Sequence, residues 1–258
     1  MIRGFYTAAS GMLAQEKRLN AIANNIANVN TVGYKKDDLV FSTFGEHIAV
    51  RMNKYNMGSL HRIGEGNWMQ VTQERYTDFA QGGFETTNRA LDMAIRGDGF
   101  FVISTPDGNR LTRDGQFALC PEGYLELPNF GRVQGQDGDI NTEGRSDFFV
   151  ARNGEIFLPN EEGEMEMLDR LLIALPYDHA ALEREPSKLW LATEYAIADE
   201  AMANTTIFQH HVERSNVNMA QEMTRMMAAQ RSLQSASALV RMHDEMSEQG
   251  SRRISSMR

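Results

Sequence analysis

Residues 2–28, IRGFYTAASGMLAQEKRLNAIANNIAN, and residues 219–249, MAQEMTRMMAAQRSLQSASALVRMHDEMSEQ, decide how this chain of 258 residues is organised. In the first, Phe5, Ala9, Met12, Leu19, Ala23 and Ile26 recur in steps of four and three, with one interruption at Glu16. That is the apolar seam of a helix made to lie against another. Gly4 and Gly11 each cost about 1 kcal/mol relative to Ala in a helix interior, so this helix is expected to form mainly when a partner covers its seam. In the second, Met219, Met223, Met226, Leu233 and Val240 trace a similar seam through Gln230 and Ser237. Leu239, Met242 and Met246 then drift off it, as the stripe of a straight helix does. Ala228, Ala229, Ser235, Ala236, Ser237 and Ala238 keep this helix slim, which suits close packing. Asn218, with Gln221 three residues on, is a capping-box-like start. Asn24, Asn25 and Asn28 close the first helix, and Gly33 supplies a turn in which φ is free to be positive. A sticky helix at each end marks a chain built to be assembled rather than to catalyse.

Between the helices the pattern changes. Residues 31–80 are polar with few periodic runs and read as an extended connector. From residue 81 short apolar runs alternate with turns: Ala94-Ile95, Gly97-Asp98-Gly99, Phe100-Phe101-Val102-Ile103-Ser104, then a hairpin turn at Pro106-Asp107-Gly108-Asn109. Pro121-Glu122-Gly123 and Gly135-Gln136-Asp137-Gly138 mark two more turns, and only Asp199–Met202 carries a weak helical pattern. The expected fold is α+β: N- and C-terminal helices pairing as a coiled-coil-like segment, with a mainly antiparallel β domain between them. The expected divisions are 1–30, 31–80, 81–214 and 215–258.

Composition narrows the function. A formal charge of −9 argues against nucleic acid as a partner, because neutralising phosphates takes clustered Lys and Arg. The charge is uneven: Arg3, Lys17, Arg18, Lys35 and Lys36 face one acid, Glu16, in the first 36 residues, while Glu161, Glu162, Glu164 and Glu166 crowd a segment that reads as a solvated loop. A single cysteine, Cys120, excludes an intrachain disulfide and a cysteine zinc cage, and its apolar strand context predicts a buried structural thiol. Apolar runs such as Leu171–Leu175 are strand-sized, so no membrane insertion is expected, and Gln15-Glu16-Lys17-Arg18 cuts short any signal-peptide core, so no cleaved signal is expected. His47, His61, His179, His210, His211 and His243 form no metal-binding pair, with His210 and His211 expected on opposite faces of a strand. Asp137, Asp139 and Asn141 start like a calcium loop, but Thr142 and Phe148 occupy its sixth and twelfth positions, so an acidic turn is the better reading. No nucleotide or hydrolase motif is present. No catalytic residue, metal or cofactor is therefore expected.

Four segments in order resemble one family, the axial proteins of the bacterial flagellar rod and hook. They are Asn24–Asn28 with Thr31-Val32-Gly33-Tyr34-Lys35; Leu91–Phe101; Leu111–Phe117 with Gly123-Tyr124-Leu125; and Ser215–Asn218 with Glu222-Met223 and Gln230-Arg231. The resemblance covers nearly the whole chain and is least distinctive over 145–200. It implies a non-enzymatic building block of the basal body, exported uncleaved through the flagellar type III apparatus. Its partners would be copies of itself and neighbouring rod and hook proteins. The terminal helices would form an inner tube, with the β domain outside and the connector touching neighbours. Size and motif order suit a proximal or distal rod protein better than the hook subunit. The long Val29–Ala90 segment favours the distal type, whereas Arg231-Ser232-Leu233-Gln234 departs from the expected aromatic-containing stretch and leaves the subtype open.

The residues expected at the assembly interface are Phe5, Met12, Leu19, Ile22, Asn24, Asn25, Ile26, Asn28, Asn216, Asn218, Met219, Met223, Met226, Leu233 and Val240. The asparagines are expected to cap helices, to bond to adjacent subunits, or both. A peptidoglycan-cleaving enzyme would need paired carboxylates in an apolar setting, and none stands out. A secreted or surface β-domain binding module (adhesin-like) with helical ends is the alternative.

Overall fold

A computed structural model describes residues 2–44, 47–52, 60–66, 69–160, 164–179, 182–184, 189–191, 195–197 and 205–255. Side chains are described for residues 4–41, and from 75 onward for most of these residues. A helix stands at each end, α1 over Ile2–Ala27 and α2 over Met219–Ser255, and antiparallel strands lie between. The second helix runs past the predicted Gln249 because a single Gly, Gly250, is tolerated inside a helix and Arg252 pairs with Glu248 one turn back. Asn218 caps its start, accepting a hydrogen bond from the Gln221 backbone N–H at 3.2 Å.

The chain folds as two compact units. One comprises Met1–Ile26, Asp37–Tyr76 and Asn218–Arg258; the other comprises Ala27–Lys36 and Thr77–Val217. In the first, α1 and α2 are in contact and antiparallel. Gly4 faces His243, whose Nε2 would lie 2.7 Å from an added Cβ, and Ile22 lines the same cleft as Ala229. The extended segment is strand: Lys36–Phe44 pairs with Met69–Asp78, and His47–Met52 with Leu60–Gly66.

The second unit is the β domain. Among the described residues its main sheet has nine strands, centred on Phe100–Thr105, which pairs with Gly108–Thr112, Gly131–Val133 and Ile173–Pro176. The hairpin expected at Pro106–Asn109 is present, but the Thr105↔Gly108 register closes it on Pro106-Asp107, so Gly108 and Asn109 already belong to the returning strand. Alternation explains why this strand reads as an unbroken apolar run. Phe101 and Ile103 enter the larger core with Phe117, Leu125, Ile156 and Ile173, while Phe100 and Val102 enter a second core around Trp190.

Several expectations change. Cys120 is half-buried rather than buried, because it follows the short strand Ala118–Leu119 at the end of the sheet. Glu166 lies in the strand Met165–Arg170, exposed and bonded to Asn160 Nδ2, rather than in a loop; Glu161 and Glu162 are outside the described residues, as is Asp199–Met202. His210 turns the chain with φ 60° between Thr206–Gln209 and His211–Glu213, so it occupies no strand face. Asp137 and Asp139 belong to a turn closed by a Gly135–Gly138 backbone bond, and Asp139 pairs with Arg132 at 3.4 Å. No group of three or more metal-ligating side chains occurs among the described residues.

Candidate functional site: helix faces and an ionic junction

Both helices leave large apolar side chains exposed. In α1 the fully covered residues are Ala14, Ile22 and Asn25, which share one face. Phe5 and Met12 are each 37% exposed, with Tyr6 and Leu13 more so, and Leu19 and Ile26 are half-buried. The seam read from sequence is therefore rotated about 130° around the helix from the face that meets the rest of its unit. In α2, Glu222 and Ala229 are buried, and Met226, Leu233, Ala236, Val240 and His243 are half-buried, so burial recurs in steps of four and three. Met219 and Met223 lie off this seam and are exposed. The inward seam mixes the small residues Ala229 and Ala236 with Met226 and Leu233. A cleft of about 480 Å³ lies beside this contact, lined by Gln15, Arg18, Ile22, Asp38, Arg225 and Ala229 among others. At its edge Arg225 bonds Asp38 at 3.3 Å and Glu222 at 3.1 Å, tying the second turn of α2 to the strand Lys36–Phe44.

The asparagines have internal partners. Asn25, with no exposed surface, clasps Asp37 in both directions: its Nδ2 donates to the Asp37 carbonyl at 2.8 Å, and its Oδ1 accepts from the Asp37 N–H at 3.0 Å. Asn216 does the same across segments, accepting from the Lys36 N–H at 2.8 Å and donating to the Asp78 carbonyl at 2.7 Å. Asn28 accepts from the Thr31 hydroxyl, and Asn24 is exposed on the helix surface.

The charged centre of the β domain was not foreseen. Lys35, part of the N-terminal basic excess, is 1% exposed, and its Nζ lies 2.7 Å from Glu213 Oε1. Arg113 Nη1 lies 3.3 Å from Glu213 Oε2, and the Gly82 N–H donates to Glu213 Oε1 at 2.9 Å. Lys35 also donates to the Ala80 carbonyl, Arg113 to the Gly97 carbonyl, and the Arg113 guanidinium sits 4.9 Å from the Phe100 ring centre. Two cations thus share one carboxylate. Burial pulls the pKa of Lys35 below its ordinary value, against the attraction of Glu213, and burial lowers that of Arg113 in the same way. Gly33, at φ 67°, packs its α-carbon against the Arg113–Asp114 peptide and donates its N–H to the Glu213 carbonyl at 2.8 Å. Lys35 and Arg113 belong to segments quoted for the resemblance, and Glu213 stands two residues before a third. Charges inside apolar, glycine-flanked motifs were the available signal.

Terminal helices in contact with one another, and between them in sequence a β domain whose entry and exit segments are pinned by one buried carboxylate, define a helix-flanked structural protein. A family model described as flagella basal body rod protein matches residues 5–35, the flagellar basal body rod FlgEFG protein C-terminal model matches 209–253, and the flagellar hook protein FlgE/F/G D1 domain model matches 94–163. The chain is 32% identical to the flagellar basal-body rod protein FlgG of Buchnera aphidicola subsp. Baizongia pistaciae (strain Bp), with 95% of this chain and 97% of that one covered. It is 33% identical to FlgG of Borreliella burgdorferi, covering 95% and 96%, and 30% identical to the rod protein FlgF of Rhizobium meliloti (strain 1021), covering 93% of each. The chain belongs to the flagellar basal-body rod protein family. It is a structural component of the flagellar basal body, serving motility, and not an enzyme.

Proposed function

We propose that the chain polymerises through its terminal helices into the axial drive shaft, with copies of itself and neighbouring rod and hook proteins, after passage through the type III export apparatus. The observation that carries this reading is the uncovered apolar surface of both helices: Phe5, Tyr6, Met12 and Leu13 on α1, and Met219, Met223, Met227, Leu239, Met242 and Met246 on α2. Covering one such side chain is worth roughly 1.5–3 kcal/mol. A helix pair that fully buries few residues falls far short of offsetting the cost of ordering its residues at ~1–2 kcal/mol each, so contacts with several neighbours add the missing burial.

In this reading the burial steps through Glu222, Met226, Ala229, Leu233, Ala236 and Val240 form a coiled-coil-like seam within one copy. Phe5, Met12, Leu19, Ile26, Met219 and Met223 meet neighbouring copies. Ile22 serves the internal contact, and Asn24, Asn28 and Asn218 stand where a neighbour reaches them. Residues 1–30 and 215–258 form the inner helical domain, 31–80 the connector and 81–214 the outer domain. The distal subtype is favoured, because the segment between α1 and the β domain is long enough to form paired ribbons.

Limited proteolysis with mass spectrometry, on the monomer and on the polymer, tests the mechanism. Trimming of both ends back to about residues 31–215 in the monomer, with protection in the polymer, is expected. Ends that resist protease in a strict monomer would refute it and favour an independent binding module.

A further inference from the structure

The protein carries 16 methionines, which range from fully buried to largely exposed. Met93 lies in the β core with no exposed surface. In α2, Met219, Met223 and Met227 are 44%, 45% and 53% exposed. Steps of four place the three on one stripe along the first turns of the helix. Met226, one residue before Met227 but about 100° around the helix, is half-buried in the inward seam. The backbone beneath the stripe is held by the Asn218 cap and by the Arg225 ion pairs with Glu222 and Asp38. The thioethers therefore face solvent from an anchored helix and contribute little to the packing of the monomer.

We propose that Met219, Met223 and Met227 form an oxidation site through which peroxides switch off polymerisation. In each step a thioether sulfur attacks the terminal oxygen of a hydroperoxide. The O–O bond breaks as the S–O bond forms, sulfur loses two electrons, and the departing oxygen takes a proton to leave as water or an alcohol. An adaptable apolar side chain becomes a polar one carrying a strong acceptor. The monomer tolerates the change because the stripe is solvated. A neighbouring copy does not, because it would have to bury the new sulfoxide oxygen without a donor. The inference rests on the assembly reading above, and it adds regulation to that surface. Thiol-dependent methionine sulfoxide reductases reverse the modification, so the switch is resettable.

The test treats full-length monomer with hydrogen peroxide, maps sulfoxides by tandem mass spectrometry, and measures the critical concentration for polymerisation by sedimentation. Sulfoxides are expected early at Met219, Met223 and Met227, together with the equally exposed Met165, Met167, Met242 and Met246, later at Met226, and last at Met93. The critical concentration should rise about tenfold or more while far-UV circular dichroism stays unchanged. A Met219→Leu/Met223→Leu/Met227→Leu variant is compared by its own ratio of treated to untreated critical concentration, which should fall well below the wild-type ratio, the remainder coming from the exposed Met12, Met242 and Met246. Reductase treatment should restore the wild-type ratio. Oxidised wild type that polymerises like the untreated protein overturns the inference, as does a Leu variant that is equally sensitive or a loss that reductase does not reverse. Untreated wild type that never polymerises is a different failure: it overturns the assembly reading, and the switch with it.

Discussion

Replacing Glu213 by Gln removes the one negative charge that Lys35 and Arg113 share while keeping the side chain's size. Both cations stay in place, with side-chain exposures of 1% and 4%. Deleting one partner of a buried ionic group costs about 3–5 kcal/mol, because the charges left behind are uncompensated. At about 2–4 °C per kcal/mol for a domain of this size, the β domain should melt roughly 6–20 °C lower. Lys35→Met should behave differently. Glu213 keeps Arg113 and the Gly82 N–H, the Ala80 carbonyl keeps the Asn216 amide, and one surplus cation disappears, so the loss should stay within about 1 kcal/mol. The pH dependence carries a sign. Burial holds the folded-state pKa of Lys35 below 10.5, so between that lowered pKa and 10.5 the unfolded chain binds more protons, and stability from this group rises with pH. Without Glu213 the folded pKa falls further and the window opens at lower pH. The deficit of Glu213→Gln relative to wild type should therefore shrink from about pH 7 to about pH 10, by at most ~1.4 kcal/mol per pH unit. Urea unfolding of the full chain, followed by Trp fluorescence, measures all three proteins. A Lys35→Met variant as damaged as Glu213→Gln, or a deficit that widens with pH, would refute the argument from charge imbalance.

Gly33→Ala should destabilise the β domain by at least about 2 kcal/mol, from the left-handed φ and from a Cβ placed 2.5 Å from the Arg113 carbonyl carbon; an unchanged urea midpoint would contradict this. Asn25→Ala should speed amide exchange at Asp37 by about tenfold or more, because it removes both partners of a buried peptide at a cost of about 2–4 kcal/mol, and Asn25→Asp, which keeps only the acceptor, should fall between.

Local physics was legible in the chain wherever a few neighbouring residues decide it. The two helices, the Asn218 cap, the Pro106-Asp107 hairpin and the positive φ of Gly33 all follow from short-range sterics and hydrogen bonding. The antiparallel strands between the helices follow from alternation and turn chemistry. The rotation of α1 was not legible, because an apolar seam tells which surface wants a partner and not whether that partner is in the same chain. Ala14, Ile22 and Asn25 face inward while Phe5 and Met12 do not. Lys36 and Asp37 are likewise charged and yet buried, with Asn216 and Asn25 arriving from elsewhere in the sequence to satisfy their backbones.

The sequence by itself determined the kind of molecule: a helix at each end, an antiparallel β domain between, no catalytic constellation, and four ordered segments resembling one axial family. Tertiary structure alone decided the ionic junction. Lys35, Arg113 and Glu213 are up to 178 residues apart, and nothing local foretells their meeting. A charge leaves water only where the fold supplies an opposite charge and donors at once, and that condition is set by packing across the whole domain.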